Sequence, residues 1–485
     1  MTPEIVVGPP GTGKTTALIR MVEEALESGI PPQKIGYLSF TRRAAQEAQE
    51  RAAIKLGLTK EVTPYFRTLH SLCFQTLGIS PSGVMEGVRL REFGEWIGLP
   101  VTGKRTRDDT TLTGYTQADR ALFMENLARV TGISLREMYE RDPDDLEWSM
   151  VEYVALSLEE RKKSHGLLDY TDMLSLFLKT GWSPQLELLL VDEAQDLSQL
   201  QWAVVEAIAR TSKRIIVAGD DDQAIYRWAG ADVNYFVNMK GQVLPLEQSW
   251  RVPNSVHNIS QSLISRLENR RDKVWMPKRD EGVVDFIVEE EQVDWNRETL
   301  VLARNAATLK RTQKFLRAEG VIFEFRGESS IPRQVTRGVK AWERLRKGER
   351  VSPEDAAAAM SLIEGADTTQ KDVESVGIND LGIERRSVWH EALDGLSEED
   401  RSYMRLALSR GEKIGEKPLV RLSTIHGAKG AESDNVVLYT DLSTRTHREF
   451  YTQPDDETRV WYVGVTRARS NLSVVMPKTR RSFRI

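Results

Sequence analysis

The segment GPPGTGKT, Gly8 to Thr15, constrains this chain more than any other. Its spacing, G-x-x-x-x-G-K-[ST], belongs to a loop whose successive N–H groups turn inward on a phosphate chain. Gly8, Gly11 and Gly13 permit tight turns that a Cβ would resist. Pro9, Pro10, Thr12 and Thr16 complete the expected cradle. Lys14 offers a point charge to the β- and γ-phosphates, and the Thr15 hydroxyl offers a ligand to Mg²⁺, which accepts few protein ligands. The preceding EIVV is short, apolar and β-branched, as a buried strand is. The following TTALIRMVEEAL reads as a helix whose positive end favours an anion. Strand, phosphate loop and helix in this order predict an α/β fold.

Size and composition set the frame around that loop. A chain of 485 residues allows two to four domains. No apolar run approaches the roughly 18–20 residues of a membrane span, so no membrane is expected as a partner. The chain starts almost on its first strand, which leaves no place for a signal peptide. Cys73 is the only cysteine, so an intrachain disulfide is excluded and a reducing, cytoplasmic setting, bacterial or phage-encoded, is expected. No Cys/His cluster has zinc spacing. The net charge of −5 excludes a protein basic all over, but nucleic-acid binding needs only a local basic surface. Such bias exists at 332–350 and after Glu457, where Arg459, Arg467, Arg469, Lys478, Arg480, Arg481 and Arg484 follow without an acid. Either stretch could equally be a solvated face.

Two further strand-and-loop units complete a nucleotide site. LELLLVDEAQD (186–196) is an apolar run ending in acids, as in a buried parallel strand whose carboxyl end faces a crevice. Asp192 is expected to hold Mg²⁺, and Glu193 to orient and deprotonate the attacking water. KRIIVAGDDDQAIYRWAGA (213–231) is a strand followed by an acidic loop. The Gln223 amide there can touch a γ-phosphate and the attacking water. Tyr226 and Trp228 bracket Arg227, a composition that suits base stacking, although such rings also pack cores.

GPPGTGKT, VDEAQD and GDDDQAIYRWAGA together resemble motifs I, II and III of superfamily 1 helicases of the UvrD/Rep/PcrA type. The remaining motifs follow in order. IGYLSFTRRAAQEA (35–48) resembles motif Ia, FRTLHSLCFQTLG (66–78) Ib, and LPLEQSWRVPNSV (244–256) IV. TLVLARNAATLKRTQKFL (299–316) resembles the strand-helix after it, VRLSTIHGAKGAESDNVVL (420–438) motif V, and ETRVWYVGVTRARSNLSVV (457–475) motif VI.

The resemblance implies two RecA-like motor domains closing on ATP. It makes Lys14, Glu193, Gln223, Arg251 and Arg467 the catalytic set, the arginines acting as phosphate-binding forks. It places Trp250 on the adenine, in place of the usual tyrosine, and Glu432 at the ribose, and counts Gly430 among the ATP-binding residues. It implies single-stranded DNA and its junctions with duplex as partners, along a track of Phe40, Thr41, Arg42, Thr68, His70, Tyr226, Trp228, Arg304, Thr424 and His426. None of these reads a base edge, so sequence preference is expected to be weak. The expected activity is 3′→5′ translocation with duplex unwinding. The alternative is a translocase that strips proteins from DNA with little unwinding. Protein partners are not indicated, and a monomer or weak self-association is expected.

Departures from the family pattern are informative. The glutamine-bearing stretch upstream of the P-loop is missing from this sequence, and Thr16 stands where an arginine is usual, which predicts weak selectivity among purines. Ala229 stands where an arginine is common in motif III. The first motor domain is expected over 1–78 and 167–245, the second over 246–326 and 417–485. Mainly helical insertions are expected at 79–166 and at 327–416, the second of them short for the family. Asp169 and Asp172 are expected to cap and pack a helix, not to catalyse.

Overall fold

The apolar runs LLLV (188–191), IIVA (215–218) and VVLY (436–439) lie in strands, and such strands build two separate sheets. The computed structural model describes residues 2–40, 42–57, 59, 61–103, 116–366, 373–383 and 386–485; of Arg42, Arg43, Ala44, Glu47, Ala52, Lys55 and Leu56 it describes the backbone alone. The first six strands are β1 (Glu4–Val7), β2 (Ile35–Ser39), β3 (Phe66–Thr68), β4 (Leu186–Asp192), β5 (Ser212–Gly219) and β6 (Gln242–Pro245). They form one sheet in the order β3-β2-β4-β5-β1-β6, and every pair is parallel. Val7 lies opposite Gly219, Val191 opposite Val217, and Ser39 opposite Asp192. This register brings the carboxyl ends of β1, β4 and β5 side by side, where parallel α/β sheets bind ligands.

Helices cover both faces of that sheet. Leu18, Ile19 and Val22 of the helix Lys14–Glu27 pack on Val6, Tyr37 and Ile216 on one face. Leu174 and Phe177 of the helix Tyr170–Thr180 and Trp202 of the helix Gln199–Ala209 pack on Ile5, Leu189 and Val217 on the other. Cys73 fills this second layer, and burial pushes its thiol up to about 12, which leaves it inert.

The segment between β3 and β4 has a core of its own. Phe93, Ala121, Met124, Val151 and Val154 from the helices Val88–Ile97, Gln117–Thr131 and Trp148–His165 meet there. A charged knot ties it to the helix Tyr170–Thr180. Asp169 caps that helix through the N–H groups of Thr171 and Asp172, and accepts from Arg129 and Lys162.

The second sheet comprises β7 (Val283–Ile287), β8 (Thr299–Ala303), β9 (Phe323–Phe325), β10 (Glu328–Ser329), β11 (Val420–Thr424), β12 (Ser433–Tyr439) and β13 (Ala468–Val475). Its order is β10-β9-β11-β8-β12-β13-β7, parallel except for the β9–β10 hairpin. The α/β class with two largely parallel sheets is therefore as expected. Between β10 and β11, helices including Arg333–Leu345 and Glu398–Ser409 enclose a further core around Trp342, Leu345, Leu393 and Met404.

The chain divides into two compact units, one of Met1–Gly282 with Thr444–Thr466 and Ile485, the other of Val283–Ser443 with Arg467–Arg484. The expected boundary at residue 245 falls inside the first unit. Within the first unit, residues 249–273 and Arg459 bond to the loops that follow β1 and β5. Among the described residues, no helix is long and apolar enough to cross a membrane.

Candidate nucleotide site and nucleic-acid interface

The loop after β1 is closed by its own backbone and by Lys14. Gly11 and Gly13 adopt φ of +73° and +82°, where an L side chain is strained. A Cβ on Gly8 would lie 2.2 Å from Lys14 Cγ. The Lys14 ammonium donates to the Gly8 carbonyl at 2.8 Å, and the Thr12 hydroxyl to the Pro9 carbonyl at 2.8 Å. Thr15 opens the helix beside Lys14, and its hydroxyl makes no hydrogen bond among the described residues. Thr16 accepts from the guanidinium of Arg51 at 2.8 Å. That residue was not expected at the site, and it brings a cation next to the position where the family arginine is replaced.

Asp192 ends β4 fully buried and accepts from the Tyr37 hydroxyl at 2.6 Å and the Glu193 N–H at 2.9 Å. Burial, with Glu193 alongside, pushes its carboxyl up to about 6; Tyr37 and Lys14 oppose the shift. Asp192 offers a buried carboxylate within the field of Lys14, and Thr15 follows Lys14 with a hydroxyl that makes no hydrogen bond among the described residues; both are the oxygen donors a hard cation takes, so their chemistry fits Mg²⁺. Glu193 has φ +53°, strained for a residue with a side chain. Its carboxylate accepts from Gln195 Nε2 at 2.6 Å, while Gln195 Oε1 accepts from the Asp220 N–H at 3.0 Å. Gly219 leaves room for that bridge, since a Cβ there would lie 2.6 Å from Gln195 Oε1. Gln223 Nε2 donates to Asp220 Oδ2 at 2.7 Å. A continuous polar path thus runs from the acids after β4 to the loop after β5, and Gln195 is its link.

Three adjacent buried carboxylates need compensating charge. Lys273 supplies it, with Nζ 2.6 Å from Asp220, 2.6 Å from Asp221 and 3.0 Å from Asp222. Burial alone would discharge this lysine, but the three carboxylates hold it above the usual lysine range. Arg270 binds both Asp222 oxygens, at 3.0 and 2.8 Å. Arg459 donates to the Asp221 carbonyl at 3.0 Å. None of these cations was expected in this role. The basic run RLENRRDK (266–273) and the triple acid at 220–222 were the two halves of a signal.

Residues 249–251 lie directly on the phosphate loop. The Ser249 hydroxyl donates to the Pro10 carbonyl at 2.8 Å, and the Trp250 N–H to the Gly11 carbonyl at 2.9 Å. A Cβ on Gly11 would lie 2.3 Å from Arg251 Cβ, so only glycine permits this approach. The Trp250 ring is 75% exposed and open to stacking. Arg467, Gly430 and Glu432 belong to the other unit. There Arg467 is buried and donates to the Ala431 carbonyl at 3.3 Å, Gly430 has φ +80°, and Glu432 pairs with Arg469 at 3.6 Å.

The expected strand track divides in the same way. Phe40 lies 5.6 Å from Tyr226 between ring centroids, Tyr226 lies 6.5 Å from Trp228, and Trp228 stacks on Phe123 at 6.1 Å. Phe123 comes from the helical insertion and extends the row beyond what the motifs indicated. The Thr68 hydroxyl caps the helix Leu69–Thr76 by accepting from the Ser71 N–H at 3.2 Å. His70 meets Tyr170 edge-on at 5.8 Å. Thr41 and the Arg42 side chain lie outside the described residues. Arg304, Thr424 and His426 sit in the other unit at 2%, 4% and 1% exposure.

Comparison with known proteins bears on the same segments. Residues 1–243 match the family model described as the UvrD/REP helicase N-terminal domain, and 394–479 match the UvrD-like helicase C-terminal domain. YjcD of Bacillus subtilis (strain 168) is 26% identical over 374 residues, which cover 70% of this chain and 48% of YjcD. The ATP-dependent DNA helicase PcrA of Leuconostoc citreum is 25% identical over 302 residues, covering 56% of this chain and 38% of its own. That of Bacillus subtilis (strain 168) is 22% identical over 298 residues, covering 58% and 40%. The chain thus spans about half the length of these relatives or less. The solved structure of PRRSV helicase overlaps 99% of this chain and 53% of its own at a TM-score of 0.35 and 12% identity, too loose a likeness to add to what the sheets show.

Proposed function

Because this chain belongs to the UvrD/REP helicase family, we propose that it hydrolyses ATP and couples the reaction to 3′→5′ movement along single-stranded DNA, with unwinding of duplex ahead of it. The observation that carries this reading is the Glu193–Gln195–Asp220–Gln223 path, which leads from the nucleotide site into the loop that displays Tyr226 and Trp228. A change at the γ-phosphate can reach a stacking surface along it without crossing solvent.

In this reading the loop Gly8–Gly13 and Lys14 bind the phosphates, and Trp250 stacks on the adenine. Asp192 and Thr15 hold Mg²⁺, which when bound neutralises phosphate charge. Glu193 orients the attacking water and takes its proton at a carboxylate oxygen, while Gln195 keeps that carboxylate in place. Gln223 senses the nucleotide through Asp220. Arg251 and Arg467 stabilise charge on the transferring phosphoryl group, as planar always-charged forks do. Phe40, Tyr226, Trp228 and Phe123 stack on bases, at about 1–3 kcal/mol per base, and Arg304, Thr424 and His426 complete the track. The bacterial relatives favour a cytoplasmic setting.

The test is the ATPase rate of wild type and Lys14→Ala, each with and without single-stranded DNA. Strong stimulation in wild type and near-complete loss in the variant are expected. A rate indifferent to DNA would refute the coupling. A strand-displacement assay on a 3′-tailed duplex then separates unwinding from translocation that only strips bound protein.

A further inference from the structure

A groove of about 1450 Å³ opens in the first unit between the β3 edge of the sheet and the start of the helical insertion. Its polar lining is unusual because two guanidinium groups in it have no partner among the described residues. Arg67, the middle residue of β3, points away from the buried Phe66 and Thr68. Its Nε is buried without a hydrogen bond, and burial pulls the guanidinium below its ordinary range. Arg89, in the first turn of the helix Val88–Ile97, likewise makes no side-chain hydrogen bond or ion pair among the described residues. That helix starts at Gly87 with no side-chain cap and no acid in its first turn, so its positive end also borders the groove. The acid in the lining, Glu86, is engaged by the Tyr170 hydroxyl at 2.7 Å. Aromatic surface is supplied by Phe40, His70 and Tyr170.

A half-buried cation with no anion among the described residues is costly, and two of them beside an uncapped helix start describe a site for a phosphate group. Rings next to such a site suit an unstacked base. We propose that Arg67 and Arg89 form a phosphate clamp that seats one nucleotide of a nucleic-acid strand between the motor sheet and the helical insertion. The insertion then grips the strand directly. The clamp deepens the reading above and rests on it. Phe40 joins the two surfaces, since it lines the groove and also meets Tyr226 in the stacking row.

Binding of a labelled oligo-dT of about sixteen nucleotides, followed across a salt series, tests the clamp. Each phosphate contact contributes about 0.7 to the slope of log K against log salt on a single strand. Arg67→Gln and Arg89→Gln should each lower the slope by about 0.7, and the double variant by about 1.4. Arg67→Lys should restore it, which a packing role for the arginine would not require. Arg89 lies in an insertion helix away from the sheet core, so its variant keeps the test alive if Arg67→Gln unfolds. Wild-type binding with slopes unchanged in Arg89→Gln and in every folded Arg67 variant would overturn the clamp alone. No wild-type binding of oligo-dT would instead sink the motor reading and the clamp with it. If dTMP binding depends on Arg67 while the oligonucleotide slope does not, the site takes free nucleotide and the strand proposal fails.

Discussion

Gln195 donates to the Glu193 carboxylate at 2.6 Å, and its own carbonyl oxygen is held by the Asp220 N–H at 3.0 Å. The amide is fully buried, so neither bond has a water substitute in easy reach. Glu193 sits at a strained positive φ, and this tether is what aims its carboxylate. Gln195→Ala should therefore lower kcat by about 10- to 100-fold with KM for ATP little changed. Steady-state kinetics at saturating single-stranded DNA measure this directly. An unchanged kcat would show that Glu193 is aimed by something else.

Trp250 presents an exposed ring from a backbone pinned to Gly11. An aromatic stack is worth about 0.5–1.5 kcal/mol beyond area burial. Trp250→Ala should raise KM for ATP by about 3- to 10-fold and leave kcat largely intact, while Trp250→Tyr should stay near wild type. With Thr16 standing where the family carries an arginine beside the adenine, ATP should be preferred over GTP by less than about a hundredfold. Arg51→Ala should erode whatever preference exists, because Arg51 holds a cation at Thr16.

Lys273 neutralises three buried carboxylates at once. Removing one partner of a buried pair costs about 3–5 kcal/mol, because the remaining charge is stranded. Lys273→Met should lower the urea midpoint of the first unit accordingly and abolish hydrolysis. Replacing Asp222 together with Arg270 by apolar residues should be milder, since both charges leave together. A Lys273→Met protein as stable as wild type would mean that the loop after β5 is not held by this lysine.

The knot at Asp169 predicts a dependence on pH. Burial raises its carboxyl, but Arg129 and Lys162 override this and hold it well below the usual carboxylate range. A group depressed on folding stabilises above its unfolded value, near 3.9 for aspartate, and loses that contribution as pH falls toward the folded value. Asp169→Asn should cost about 3 kcal/mol at pH 7, and the gap from wild type should close progressively below about pH 4. Chemical denaturation at a series of pH values checks both features. A gap independent of pH would assign the loss to helix capping instead of charge.

Some of this was legible locally. The glycines before Lys14, the apolar run ending at Asp192 and the strand before Asp220 each fold as their own backbone preferences dictate, so their sites could be read in isolation. Parallel strands then bring those three ends together by topology alone, and the α/β class followed. Partners of buried charge could not be read in the same way. Any cation within reach can satisfy Asp220–Asp222, and only the folded chain selects Lys273 and Arg270 from a sequence with 67 lysines and arginines. The same holds for Phe123 against Trp228, Arg51 against Thr16, and the pinning of Trp250 to Gly11. Short-range conformational preference is written into adjacent residues. The cost of burying charge and aromatic surface is settled between residues far apart in the chain, and the tertiary structure alone decides which of them meet.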